Sequence, residues 1–133
     1  MRRSGDQEIA SKFACMRKCT VRWVADDCVA YNFTCLFGRA QELIPQRSET
    51  WDLVFIDANK QEYVEYYEAV IDHVRPGGLI LSDNVLWSGK VVFERNDVDA
   101  RVIHRYNEML FRGPRVEVLM LPIRDGLSIA RRV

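Results

Sequence analysis

The sequence predicts an α/β domain with a mostly parallel sheet closed by a C-terminal antiparallel hairpin, and three observations carry that prediction. Leu53, Val54, Phe55 and Ile56 form a continuous apolar run that stops on Asp57, the pattern of a strand buried on both faces. A helical stretch separates this run from a second one, Leu79-Ile80-Leu81, which stops on Ser82-Asp83-Asn84. That separation suits a strand-helix-strand crossover, so the two strands are expected to be parallel neighbours. Near the C-terminus, residues 116–121 and 127–133 flank Pro122-Ile123-Arg124-Asp125-Gly126, whose Asp-Gly pair signals a hairpin.

In chain order, residues 6–18 read as a helix with Ile9, Phe13 and Met16 in a stripe and Asp6 near the positive end of the dipole. Residues 21–25 read as a short strand, and residues 31–37 as an outer strand leading into Gly38. Residues 40–44 are expected to make a helical turn ended near Pro45, before a polar lead-in to Trp51. After the first buried strand, Asn59 and Glu62 have the spacing of an N-cap and its reciprocal partner, so a helix is expected from about Lys60. Its inner face carries Tyr63, Tyr67, Val70 and Val74, with Glu62, Glu65, Glu68 and Asp72 largely off it, and Pro76 with Gly77-Gly78 is expected to end it. Residues 85–93 are apolar, with Trp87, Ser88 and Gly89 embedded. Asn96-Asp97 then caps a helix running to Arg112 with Val98, Val102, Tyr106 and Met109 inward, stopped by Gly113-Pro114. His104 lies within that helix and reads as a surface or core histidine rather than a catalytic one.

At 133 residues, 48% hydrophobic and 29% charged, the chain has the composition of one soluble domain. Nineteen basic and nineteen acidic residues cancel, so no global field draws it to nucleic acid or to an anionic membrane. The basic opening Met1-Arg2-Arg3 is followed by polar residues where a signal peptide needs an apolar core, and no apolar run approaches the roughly 20 residues that span a bilayer. A cytoplasmic address is the expectation. The four cysteines, Cys15, Cys19, Cys28 and Cys35, are unevenly spaced and contain no CxxC pair, so reduced thiols are expected rather than a zinc site or a disulfide framework.

If the two strands are parallel, Asp57 and Asp83-Asn84 meet in the crevice outside their carboxyl ends, where ligands bind in open parallel sheets. Two carboxylates brought together repel unless protons or a cation intervene. Two Asp carboxylates and an Asn carbonyl form an oxygen-only set suited to a hard divalent ion such as Mg²⁺. The other reading of the same residues is that Asp57 caps the helix and Asp83-Asn84 caps the next turn, with no metal.

Three stretches, FIDANK at 55–60, RPGGLILSDNVLWSGKV at 75–91 and LPIRDGLSIA at 121–130, resemble the small metal-dependent S-adenosylmethionine (SAM) O-methyltransferases, the family of catechol and caffeoyl-CoA O-methyltransferases. The resemblance covers residues 36–133 and sets residues 1–35 apart as a poorly matching N-terminal segment. It implies a Rossmann-like methyltransferase sheet whose last four strands lie side by side in the order four, five, seven, six. It also implies transfer of the SAM methyl to a phenolic or catechol-type hydroxyl, with a small-molecule acceptor and a homo-oligomer, a dimer. By the resemblance Asp57, Asp83 and Asn84 are metal ligands, and Lys60 is the general base. Trp87 is an aromatic wall of the acceptor pocket, and Ala40 and Asp57 belong to the cofactor site, Ala40 beside the adenine. Two positions depart from the pattern: Asn59 stands where many relatives have Asp, and Arg39 where they carry a small or acidic residue.

No glycine occurs between Gly5 and Gly38, so the glycine-rich turn that in this class holds the methionine end of the cofactor has no counterpart. The expectation is therefore a domain lacking its first strands, in which SAM binding and turnover are impaired. Two other classes match parts of the pattern. A receiver domain also opens on a strand ending at a phosphorylatable Asp such as Asp57, but Asp26-Asp27 lie too near it for the intervening elements. A non-enzymatic remnant that depends on a partner is the second.

Overall fold

The chain is described by a computed structural model covering residues 36, 38–94 and 96–133. The helix expected over 6–18, the strand over 21–25, the strand over 31–37 apart from Leu36, and all four cysteines lie outside the described residues.

A short helix α1 (Ala40–Leu43) runs into a 3-10 turn, Ile44–Gln46. The α-helical turn ends at Leu43, close to Pro45 as expected, and the 3-10 continuation stops at Gln46, just past the proline. Pro45 sits at the first residues of that continuation, where its missing N–H costs no bond. Strand β1 (Trp51–Ile56) leads through a second 3-10 turn (Lys60–Glu62) into α2 (Tyr63–Val70), and β2 (Val74–Asp83) follows. A 3-10 turn (Trp87–Gly89), α3 (Lys90–Phe93), α4 (Val98–Arg112), β3 (Val116–Leu121) and β4 (Leu127–Arg132) complete the chain. The sheet order is β1-β2-β4-β3, with β1 and β2 parallel and the other two pairings antiparallel. This is the predicted order, with the last strand inserted between the crossover pair and its own hairpin partner.

The crossover differs from expectation at its return. Val74 is not on the helix but opens β2, and the strand passes through Pro76-Gly77-Gly78 rather than starting after it. Trp51 pairs with Val74 and Leu53 with Leu79, so the extra residues of β2 bulge out of the ladder between them. Inside a central strand, proline is found at such an irregularity, and glycine often marks one. Gly77 has φ +77, and a Cβ on Gly78 would lie 2.6 Å from a Val74 methyl and 2.9 Å from the Arg75 carbonyl, so the bulge requires both glycines.

Helices α2 and α4 cover one face of the sheet. There Val54, Ile56, Ile80 and Ala130 pack against Tyr63, Tyr66, Tyr67, Val70, Ile103, Tyr106 and Leu110. The pleat sends the alternate residues of each strand to the other face, where Leu53 is 44% and Leu119 57% exposed and Phe55 and Leu81 are half-buried. The expectation that β1 is buried on both faces is thereby corrected among the described residues. The inner face of α4 is also corrected. It consists of Ala100, Ile103, Tyr106, Asn107 and Leu110, whereas Val98 is exposed and Val102 and Met109 are half-buried. Its cap is as expected: the Asp97 carboxylate accepts from the Ala100 N–H at 3.0 Å and from Lys90 Nζ at 3.0 Å. The Ala100 N–H, together with Lys90, holds the Asp97 carboxyl below the usual carboxylate range.

Gly126 closes the hairpin loop with φ +86, and its N–H bonds the Ile123 carbonyl at 2.9 Å. A Cβ there would lie 2.5 Å from Leu86 Cγ and 2.9 Å from the Leu86 backbone nitrogen. Gly126→Ala is therefore expected to destabilise the fold by more than about 1 kcal/mol, combining positive φ with overpacking. Chemical denaturation checks this; a variant as stable as the parent would contradict the close approach.

Candidate active site

The parallel pair ends together. Ile56 pairs with Ser82, so the next residues, Asp57 and Asp83, leave adjacent strand ends at one rim of the sheet. Asp83 is half-buried, whereas the Asp57 side chain is 51% exposed. The backbone then turns sharply. Asn84 has φ +59, a left-handed conformation that asparagine tolerates better than most residues, and its N–H donates to Asp83 Oδ1 at 2.7 Å.

The segment beyond Asn84 is tied down from two sides. Val85 N–H donates to the Gly126 carbonyl (3.2 Å) and Leu86 N–H to the Asp125 carbonyl (2.7 Å), both in the hairpin loop. Ser88 Oγ donates to Asp125 Oδ1 at 3.2 Å, and Asn107 Nδ2 on α4 donates to the Val85 carbonyl at 2.8 Å. Trp87 N–H donates back to the Asn84 carbonyl at 3.2 Å, and its half-buried ring packs on the core. The apolar run 85–93 thus divides: Val85 is buried and Trp87 half-buried, whereas Val92 and Phe93 are 64% and 84% exposed.

Lys60 is presented by the 3-10 turn. Asn59 caps that turn by accepting from the Gln61 N–H at 3.3 Å, and its Nδ2 donates to Glu62 Oε2 at 3.4 Å. The N-cap expected at Asn59 is present, but it accepts from Gln61 rather than Glu62, and the Glu62 carboxylate meets the Asn59 side-chain amide instead of its backbone N–H, so the reciprocal half of the expected box does not form. Lys60 is buried, and its Nζ donates to Asp57 Oδ1 at 3.2 Å and to the Tyr63 hydroxyl. Tyr63 is fully buried, and its hydroxyl donates to the Asp83 main-chain carbonyl at 2.9 Å. Burial, and after it the Asp57 charge, pushes the Tyr63 phenol well above the usual range. Sequence reasoning placed Tyr63 only in the apolar stripe. Its position three residues after Lys60, on the same face of the turn, is the signal that could have revealed its hydroxyl's role.

The structure thus gathers Asp57, Lys60, Asp83 and Asn84 at one rim, with Trp87 immediately beyond. Ala40 is not part of this bonded group. It is buried at the start of α1, and its neighbour Arg39 lies 3.8 Å from Glu62 in an ion pair. His104 is on the surface beside Glu108, as expected for a non-catalytic residue.

The donor set is chemically suited to a hard divalent cation. Asp57 and Asp83 each use one oxygen for the contacts above, which leaves a second carboxylate oxygen on each, and the Asn84 amide adds a neutral oxygen. Among the described residues no group of three or more His, Cys, Asp or Glu side chains is arranged to hold a metal ion, so the set reaches three ligands only through Asn84.

The parallel pair, the crossover helix and the antiparallel hairpin define the class: an α/β sheet of the Rossmann-like methyltransferases. The O-methyltransferase family model matches residues 37–133, and the chain belongs to that family. Among curated relatives, caffeoyl-CoA O-methyltransferase 2 of Eucalyptus globulus is 44% identical over 92 residues, covering 63% of this chain and 37% of the relative. The caffeoyl-CoA O-methyltransferase of Petroselinum crispum is 41% identical over 92 residues, covering 63% and 38%. Among solved structures, the O-methyltransferase from Bacillus cereus in complex with SAH aligns with TM-score 0.64 and 32% identity, covering 71% of this chain and 46% of that one. The O-methyltransferase TomG from Streptomyces achromogenes, involved in tomaymycin synthesis and in complex with SAM, aligns with TM-score 0.65 and 29% identity, covering 72% and 48%. The chain spans less than half the length of these relatives. The receiver and remnant readings find no favour in these similarities.

Proposed function

We propose that this chain carries the acceptor half of a SAM-dependent O-methyltransferase site for a phenolic, catechol-type hydroxyl. The observation that supports it most is the register of β1 and β2, which delivers Asp57 and Asp83 to one rim with Lys60 ion-paired to the first of them. Asp57, Asp83 and Asn84 would hold a divalent cation, Mg²⁺ in the simplest case, which when bound supplies positive charge that lowers the pKa of an adjacent acceptor hydroxyl. Lys60 would take the hydroxyl proton at Nζ, its amine being held at the strand end by Asp57. The Trp87 ring would offer a flat apolar wall to the aromatic acceptor, and the bonds from the hairpin and α4 keep its loop in one geometry, which favours alignment of the attacking oxygen. Ala40 and Asp57 would border the cofactor.

In this reading the protein acts in the cytoplasm, as a homodimer, on a small-molecule acceptor; no helix among the described residues is long and apolar enough to cross a membrane. The deciding measurement is a calorimetric titration of the protein with Mg²⁺ and Mn²⁺. Saturable binding of the cation by the chain is expected, and absence of binding in the millimolar range would sink the reading.

A further inference from the structure

We propose that Tyr63 is a positioning residue of this site: its hydroxyl fixes the rotation of the Lys60 amine and ties it to the main chain of Asp83. This rests on the reading of Lys60 as the base and deepens it. The contacts run in one direction, Lys60 Nζ donating to the Tyr63 hydroxyl oxygen and that hydroxyl donating to the Asp83 carbonyl at 2.9 Å. A primary amine has three tetrahedral positions besides its carbon. One N–H points to Asp57 Oδ1 at 3.2 Å and a second to Tyr63, so the third position, a proton or a lone pair, is left with a single direction. With Asp57 alone, two directions would remain, and a base within reach of a hydroxyl would face it only part of the time.

The tyrosine is itself immobile. It is fully buried, its ring meets Tyr106 edge-on at 5.3 Å and 77°, and the Asp83 carbonyl it holds belongs to the residue whose carboxylate is a candidate ligand. One hydroxyl therefore links the element carrying the base, the 3-10 turn after β1, to the end of β2. A shift of either strand end would move both.

Tyr63→Phe removes the hydroxyl and keeps the ring. Nitrogen-15 NMR of the lysine side chains in the whole chain reads the effect directly, with Lys90 as an internal reference. Exchange of the Lys60 side-chain protons with water is expected to quicken about tenfold in Tyr63→Phe, the factor that one charge-assisted hydrogen bond is worth. Tyr106→Phe, which deletes a buried hydroxyl bonded to Ser82 at 2.6 Å, is expected to lower stability and leave Lys60 exchange unchanged. Equal Lys60 exchange in parent and Tyr63→Phe, or an equal increase in both variants, overturns the proposal. In the unsubstituted protein the Tyr63 hydroxyl proton is expected as a slowly exchanging signal with a nuclear Overhauser effect to the Lys60 methylene beside Nζ, and its absence also overturns the proposal. None of these readouts needs metal or turnover, so a protein that fails to bind Mg²⁺ would defeat the metal reading while leaving the Lys60 clamp separately decided.

Discussion

Raising the pH beyond about 10 is expected to unfold this protein steeply, because three of its phenols keep protons that the unfolded chain gives up. Tyr63, Tyr66 and Tyr106 are each 0% exposed. Burial is the largest cause of the upward displacement of all three phenols, reinforced by the Asp57 charge at Tyr63 and by Glu62, which accepts from the Tyr66 hydroxyl at 2.6 Å. An unfolded tyrosine loses its proton near pH 10, whereas burial makes these folded ones retain theirs to clearly higher pH. Below pH 10 both states hold the proton and the stability is intact; between that pH and the native values the native state binds more protons, so stability falls as pH rises. Each group contributes about 1.4 kcal/mol per pH unit, and three together about 4. A domain with about 5–15 kcal/mol of stability would exhaust it within one to a few units. Phenolate absorbance and far-ultraviolet circular dichroism recorded in the same titration check this. The expected result is a single steep transition shared by both signals. Phenolate forming near pH 10 with the dichroism unchanged would mean the three rings are accessible to water in the native state.

The buried phenols also show where sequence patterns ran short. The sheet order and the parallel pair were legible because a βαβ separation and an Asp-Gly loop each permit few geometries, and the carboxylates stood where the apolar runs stopped. The course of β2 was not legible, since Pro76-Gly77-Gly78 reads as a helix terminator and only the pairing of Trp51 with Val74 reveals a bulge. The inner face of α4 was misjudged by about one position. The sequence offers two overlapping stripes that share Tyr106, and the sheet selected the one containing small Ala100 and polar Asn107, whose Nδ2 holds the Val85 carbonyl. At the candidate site, the acids and the lysine could be listed from motif and spacing. The hydroxyl of Tyr63 could not, because an amphipathic pattern records which residues are buried and not which of their polar atoms find partners. Leu53, exposed among the described residues, illustrates the same limit: an unbroken apolar run on β1 does not reveal that, among those residues, only the Val54–Ile56 side of the pleat lies under helices.

Removing the Asp83 charge is expected to abolish most of the affinity for Mg²⁺, and the choice of replacement separates charge from structure. Asp83 does two things in the structure: its Oδ1 accepts the N–H of Asn84 at 2.7 Å, and its main-chain carbonyl accepts from Tyr63. Asp83→Ala deletes the carboxylate and also the bond that steadies the left-handed turn at Asn84, so a loss of metal affinity could come through either. Asp83→Asn retains an amide oxygen for that N–H and removes only the charge. In the proposed site the cation is held by two carboxylates and a neutral oxygen, so losing one carboxylate halves the compensating charge. The expected loss in Asp83→Asn is at least about 100-fold in affinity, at or beyond the 10–100-fold that follows from disturbing residues behind the ligands. Asn84→Ala removes a neutral donor and should cost less, with the affinity ordered parent, Asn84→Ala, Asp83→Asn. Calorimetric titration of the three proteins, with circular dichroism to verify that each is folded, gives the answer. Equal affinities in parent and Asp83→Asn would assign Asp83 to the turn alone and remove it from the metal set.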